Sequence, residues 1–249
     1  MFPVICKIGP VTLYSYGLML AIAVIVCSFM ASRDARAVGI KSELVLDFIF
    51  WLVFAGILGA RLFYIAINFN YFRENPLEII MIQHGGLAWQ GGFVCATLSS
   101  FWFTRKHRLS WLQMADLMAP YIALGQAIGR IGCFLNGCCY GKKIINNVFP
   151  LFKNSSLHPT QLYLFIGLFT IFIILKRYQK AAKIPGEVFV LFMILEPMLR
   201  FFIEFVRADH DVIYRGLSIY QIVCLIFISV AIYVYTRLKS RAAKHKSAS

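Results

Sequence analysis

The sequence predicts an all-α polytopic membrane protein of about seven transmembrane helices, with its N-terminus outside and its C-terminus cytoplasmic. Three observations predict it. Of its 249 residues 60% are hydrophobic and only 14% charged, at a mean hydropathy of +0.72, which is too little polar surface to cover a soluble domain of this size. Apolar stretches of about 20 residues, enough to cross a hydrocarbon core about 30 Å thick, recur along the chain. Lysine and arginine fall unequally on the two sides that those stretches define.

The first span is read at 12–32. It opens with Tyr14 and Tyr16, as interfacial aromatics do, and has no basic n-region, so no cleavable signal peptide is expected. The second runs over 44–68. The third, 79–103, is broken by His84-Gly-Gly-Leu87 and by Gly91-Gly92. Four glycines in nine residues disfavour a lipid-facing helix there and suggest a reentrant or broken segment through which a substrate reaches His84. The fourth, 115–135, holds Arg130 in an otherwise apolar run. A central arginine costs roughly 2.5–3.5 kcal/mol on insertion scales, so it marks an interior or a watery cavity with a partner or substrate. The fifth is 160–176. The sixth, 187–206, carries Glu196, Pro197, Arg200 and Glu204, and the seventh covers 217–236. Residues 1–236 form a single transmembrane domain, followed by a basic, disordered cytoplasmic tail at 237–249.

Outside these spans one face carries Arg33, Arg36 and Lys41; Arg105, Lys106 and Arg108; Lys176, Arg177, Lys180 and Lys183; and Arg237, Lys239, Arg241, Lys244 and Lys246, fifteen in all. The other has seven: Lys7, Arg73, Lys142, Lys143, Lys153, Arg207 and Arg215. An odd number of spans with the basic end in the cytoplasm fits this imbalance. The formal net charge of +14 is then mostly a topology signal that favours anionic headgroups, and it requires no nucleic-acid partner.

The ionisable residues inside the spans carry the chemistry. Glu196, Arg200 and Glu204 recur at four-residue intervals with Arg207 three further on, so a helix would place them on one stripe where each arginine can meet a carboxylate. The stripe is either an internal salt-bridge ladder or a charged wall in which Glu204 holds Arg200 towards an anionic substrate. Pro197 opens the backbone near Glu196. A phosphodiester bound by Arg130 and Arg200 suits bidentate guanidinium geometry, and Asn136 lies beyond Arg130 towards the less basic face. His84 titrates near neutrality and can accept a proton from a thiol or alcohol. The pairs Gly125/Gly129 and Gly137/Gly141 have the spacing of close helix packing. Cys27, Cys95 and Cys224 read as small buried hydrophobes. The vicinal Cys138-Cys139 lacks a Cys-x-x-Cys spacing or a nearby histidine, so no metal and no cofactor is expected.

Read together, the motifs resemble a bacterial phosphatidylglycerol:prolipoprotein diacylglyceryl transferase family nearly end to end. They are Tyr16-Gly-Leu-Met19, Gly59-Ala-Arg-Leu-Phe-Tyr64, His84-Gly-Gly-Leu87 with Gly91-Gly92, Asp116-Leu-Met-Ala-Pro120, Gly129-Arg-Ile-Gly132 with Asn136-Gly137 and Gly141, His158-Pro-Thr-Gln-Leu-Tyr163, and Arg200-Phe-Phe-Ile-Glu204-Phe-Val-Arg207. The resemblance implies transfer of an sn-1,2-diacylglyceryl group from phosphatidylglycerol to the lipobox cysteine of a prolipoprotein signal peptide, forming a thioether and releasing sn-glycerol 1-phosphate. It implies a site facing the outer leaflet of the bacterial inner membrane, with the bilayer itself as a partner. It also implies Arg130 and Arg200 on the phosphate, His84 as base, Tyr16 and Asn136 positioning headgroup or thiol, Glu204 orienting Arg200, and Arg207 guiding the product out. The chain departs from the family pattern where many members carry Asn and an acidic residue in place of Cys133 and Cys138, which removes a compulsory carboxylate base at position 138 and shifts weight to His84. Competing readings are a small-anion transporter, against which stand the odd span count and the lack of repeated halves, and a headgroup transferase with another acceptor.

Overall fold

The structure is a computed structural model that describes residues 4–8, 11–81, 85–142, 157–207, 212–214 and 216–247. His84, Lys143, Lys153 and Arg215 lie outside the described residues. The chain divides into two compact units: residues 31–114, and residues 1–30 together with 115–249.

The larger unit begins with a hairpin of β1 (Val4–Ile8) and β2 (Val11–Tyr14), which runs directly into helix α1 (Ser15–Ala37). It continues with α5 (Trp111–Asn136), α6 (Thr160–Gln179), α7 (Glu187–Glu204), a short β3/β4 hairpin (Val212–Tyr214, Leu217–Ser218) and α8 (Ile219–Ser247). The smaller unit holds α2 (Ser42–Ile67), α3 (Phe69–Glu74), a 3-10 turn at Pro76–Ile79 and α4 (Trp89–Lys106). The helices α1 and α5 each cross the division.

Among the described residues five helices are long and apolar enough to cross a membrane: α1, α2, α5, α6 and α8 over Ile219–Ser240. The expected third and sixth spans correspond to α4 and α7, of 18 residues each, about 27 Å at 1.5 Å per residue. The third differs from its expected start at 79. Gly85 and Gly86 sit at φ 87° and 76°, a left-handed backbone that no helix continues through, so α4 begins only at Trp89. At the other end of the chain α8 runs unbroken to Ser247, so the basic residues from Arg237 onward extend a helix where a disordered tail was expected; Arg, Lys and Ala are good helix formers.

The core of the larger unit is built on α5. Ala119, Ala123 and Ala127, all fully buried, recur every four residues on one face. They pack with Ile171 and Leu175 of α6 and Val188 and Phe192 of α7 at one end, and with Leu164, Leu168 and Ile203 at the other. Methyl-sized side chains along that stripe let neighbouring helices close in without a void. The Asp116 carboxylate accepts hydrogen bonds from the backbone N–H groups of Gly186 (2.6 Å) and Phe189 (2.8 Å), satisfying donors at the start of α7 that have no partner within the helix. In consequence α5 is the most enclosed of the five candidate spans, 56% buried against 17% for α8.

In the smaller unit α2 and α4 cross at backbone contact. A Cβ on Gly91 would lie 2.3 Å from the Gly59 carbonyl oxygen and one on Gly59 would lie 2.6 Å from that of Gly91. The backbone N–H of Ala88 donates to the Ala60 carbonyl at 3.0 Å. Close packing therefore falls on this pair of helices. At Gly125 an added Cβ would meet the Cys27 sulfur at an ordinary 3.6 Å, and at Gly129 nothing within 4 Å among the described residues.

Candidate active site

Arg130 lies on the last two turns of α5 and is partly buried. Across from it, α1 enters from the β2 junction, and Tyr16 and Met19 pack against Gly132, where a Cβ would meet them at 3.2 and 3.1 Å. The Tyr16 ring, 43% exposed, is within electrostatic reach of Arg130, Cys133, Cys138 and Cys139. Asn136 is the final residue of the same helix.

The second arginine reaches this helix from α7. Arg200 Nε donates to Glu196 Oε1, and Arg200 Nη2 donates to Gln126 Oε1 at 3.3 Å. Gln126 is one turn before Arg130 on α5, and residues four apart lie about 6 Å from one another along a helix face. The two arginines expected to act together are thereby brought to the same stretch of α5. Gln126 was not anticipated from the sequence, because its partner is 74 residues away.

Glu204 does not hold Arg200, as was expected. Its Oε2 faces Arg207 Nε at 3.6 Å, and its Oε1 accepts from Ser218 Oγ at 3.2 Å. Ser218 and Gln221 form a reciprocal capping pair at the start of α8, Ser218 N–H donating to Gln221 Oε1 at 3.0 Å and Gln221 N–H to Ser218 Oγ at 3.3 Å. Glu204, 5% exposed, is thus drawn to the α7/α8 junction, and Glu196 takes over the pairing of Arg200.

Beyond α5 the chain reverses. Gly137 takes φ 78° and Cys139 φ 63°, the latter a region that side chains other than Gly, Asn and Asp rarely occupy. The turn is fixed from outside: Thr160 Oγ1 donates to the Cys139 carbonyl at 2.6 Å and Gln161 Nε2 to the Cys138 carbonyl. Gly141 N–H donates to His158 O at 2.9 Å and Lys142 N–H to Val206 O at 2.9 Å. A Cβ at Gly141 would sit 2.5 Å from the Val206 carbonyl oxygen, so only glycine fits this strand-like contact with Arg207. These bonds explain the resemblance motif at 158–163: Thr160 and Gln161 clamp the turn that follows Arg130.

The reversal brings three sulfurs together. The Sγ atoms of Cys133, Cys138 and Cys139 lie within 4.8 Å of one another, although Cys133 stands five residues from the vicinal pair. The Cys139 thiol is pushed down to about 5. Hydrogen bonding from Cys133 is the largest cause and outweighs the opposing effect of burial; hydrogen bonding from Cys138 and the charges of Arg130 and Arg207 add to it.

In the smaller unit, Arg61 has a structural role that no local pattern in the sequence signals. It is 5% exposed and donates to five backbone carbonyls: Ile79 at 3.1 Å, Gly85 at 2.6 Å, Gly86 at 2.9 Å, Met81 at 3.3 Å and Glu78. All five N–H donors of the guanidinium are engaged, and the Phe72 ring lies 5.2 Å from its central carbon. Arg61 therefore grips the chain immediately before and after the segment that contains His84.

A family model described as prolipoprotein diacylglyceryl transferase matches residues 3–237. A phosphatidylglycerol--prolipoprotein diacylglyceryl transferase of Finegoldia magna is 34% identical over 231 residues, 92% of this chain and 92% of that protein. Relatives of the same name in Staphylococcus carnosus and Bacillus licheniformis are each 31% identical, over 98% of this chain and 94% of the relative and over 97% and 95% respectively.

Proposed function

The chain belongs to the prolipoprotein diacylglyceryl transferase family, and from that membership we propose that it moves an sn-1,2-diacylglyceryl group from phosphatidylglycerol to the cysteine of a prolipoprotein lipobox. The acceptor thiolate attacks C3 of the diacylglyceryl moiety. The carbon–oxygen bond to phosphate breaks, a thioether forms, and sn-glycerol 1-phosphate leaves with the bonding electron pair. What the protein must supply is a base for the thiol and positive charge on the departing phosphate.

The observation that carries this reading is the anchoring of Arg200 to Gln126, one turn from Arg130. Two arginines held at one stretch of α5, Arg130 on the helix and Arg200 tied to it through Gln126, suit a phosphodiester, to which a guanidinium offers paired donors. Glu196 fixes the aim of Arg200. His84 takes the acceptor proton, while Tyr16 and Asn136 position headgroup and thiol. Glu204 holds Arg207, which draws the phosphate product away. We place the reaction at the outer leaflet of the bacterial inner membrane, in a single catalytic domain of seven spans with the C-terminus in the cytoplasm.

The test is mass spectrometry of a lipobox peptide incubated with the purified protein and phosphatidylglycerol, with glycerol phosphate assayed alongside. A diacylglyceryl mass gain at the cysteine with matching glycerol phosphate is expected. Arg130→Ala and Arg200→Ala are each expected to insert normally and to lower transfer at least 10-fold, since a hydrogen bond to a charged group contributes about 1.5–3 kcal/mol. Full activity in both variants at normal expression refutes the phosphate clamp.

A further inference from the structure

The transferase reading leaves unused a cluster of three thiols among the described residues. Three thiols at 133, 138 and 139 point at one another across a turn whose backbone is held on both sides. Chance proximity does not require a cysteine at φ 63°; a non-glycine residue at positive φ costs about 1–2 kcal/mol, and such outliers persist where the surroundings fix them. Here Thr160 and Gln161 do so, each bound to the carbonyl of one of the two vicinal cysteines.

We propose that Cys133, Cys138 and Cys139 bind one zinc ion as a three-thiolate site, with the fourth position open to the acceptor thiol.

Sulfur atoms around tetrahedral zinc are about 3.8 Å apart, given a Zn–S distance of about 2.3 Å. The sulfurs, all within 4.8 Å of one another, need to move by only about 1 Å in reaching that geometry. Thiolate ligands select soft or borderline cations, and three protein ligands with one vacancy is the pattern of zinc sites that act on a substrate. The Cys138 thiol, which donates to the Cys133 carbonyl at 3.6 Å, gives up its proton to solvent on binding, as does the Cys133 thiol. Zinc with three thiolates carries one net negative charge, and Arg130 and Arg207, whose charges act on Cys139, offset it.

The identity of the fourth ligand rests on the transferase reading; the three-sulfur site does not. A thiol entering the vacancy binds as thiolate and releases its proton to water. Zinc would then do for the nucleophile what a carboxylate at position 138 cannot do here, because Cys138 stands in its place.

The experiment uses full-length protein in detergent, stripped with a chelator and titrated with Co2+. Sulfur-to-cobalt charge-transfer absorption is expected to saturate at one ion per chain and to vanish on adding one equivalent of Zn2+. The Cys139→Ser variant, whose side chain is exposed and whose loss leaves packing intact, is expected to weaken Co2+ binding at least 10-fold at an unchanged melting temperature. A lipobox cysteine peptide should then alter the visible cobalt bands, and the same peptide with serine should not. Folded protein that gives no charge-transfer absorption, or absorption indifferent to Cys133→Ser, Cys138→Ser and Cys139→Ser, overturns the site; bands indifferent to the cysteine peptide overturn the open position. Diacylglyceryl transfer measured on the same samples separates the two readings. Full transfer by stripped protein with no cobalt absorption removes the zinc site alone, whereas cobalt absorption without transfer in either form removes the transferase reading alone.

Discussion

Gly91→Ala places a methyl group where the α2/α4 crossing has no room. Its Cβ would lie 2.3 Å from the Gly59 carbonyl oxygen and 2.3 Å from the Phe63 Cβ. Neither atom belongs to the far end of a flexible side chain, so the helices themselves must part. Reaching an ordinary contact of about 3.4 Å takes a separation of about 1.1 Å, and overpacking of this kind costs about 1–3 kcal/mol. At about 2–4 °C per kcal/mol for a chain of this size, the melting temperature in detergent should fall by about 2–12 °C. The displacement also reaches function: the Ala88 N–H to Ala60 bond and the Arg61 grip on Gly85 and Gly86 both tie the segment around His84 to this crossing, so transfer activity should drop as well. Gly125→Ala is the control, because its Cβ meets only the Cys27 sulfur at 3.6 Å among the described residues; melting and activity should stay near the parent. Gly91→Ala that melts and works like the parent refutes the backbone-contact crossing and its link to the His84 segment.

Three other outcomes follow from the geometry. Asp116→Ala removes the acceptor for Gly186 and Phe189 N–H; two lost hydrogen bonds to a charged group cost about 3–6 kcal/mol, a fall of about 6–24 °C, and Asp116→Asn should recover part of it in the same melting assay. Arg61→Lys has three donors where five carbonyls need partners, so limited proteolysis should cut within residues 78–87 at least 10-fold faster than in the parent. In chelator-treated protein, the Cys139 thiol with its value pushed down to about 5 is a thiolate above that pH and a thiol below it; its alkylation by iodoacetamide should therefore rise through about pH 5 and be flat from about pH 6 upward, where an ordinary cysteine keeps accelerating to about pH 9. Peptide mapping of the alkylated residue gives the profile.

Much of the scaffold was readable because long apolar runs announce themselves in hydropathy: α2 runs over Ser42–Ile67 and is long and apolar enough to cross a membrane, where a span at 44–68 was expected. The ladder of Glu196, Arg200, Glu204 and Arg207 was readable too, since helical spacing alone makes neighbours of residues three and four apart. Its pairing was not. Arg200 has a glutamate one turn on either side, a symmetric choice that sequence cannot break; the Ser218/Gln221 cap of α8 breaks it by claiming Glu204. Arg61 was silent for a different reason, because its partners are main-chain carbonyls 17 to 25 residues on, which leave no side-chain signature. The sulfur cluster depends on the reversal at Gly137 and Cys139, and a spacing of five residues does not announce that Cys133 will meet the vicinal pair.

The length of α8 serves as a ruler. Its 29 residues make a rod of about 43 Å, longer than the roughly 30 Å it has to cross, and its basic end is tied to interfacial rings: the Arg237 guanidinium lies 5.1 Å from the Tyr233 ring and the Lys239 ammonium 4.6 Å from that of Tyr235. Such aromatic and cationic anchors resist sliding along the membrane normal. From Arg237 back to Gln221 is about 24 Å of helix, and Gln221 sits beside Ser218, which holds Glu204. Under the orientation proposed above, with the basic end in the cytoplasmic headgroups, that junction would stand at least two-thirds of the way across the bilayer, a depth at which a phospholipid of the far leaflet could present its headgroup to Arg207 without leaving its own monolayer.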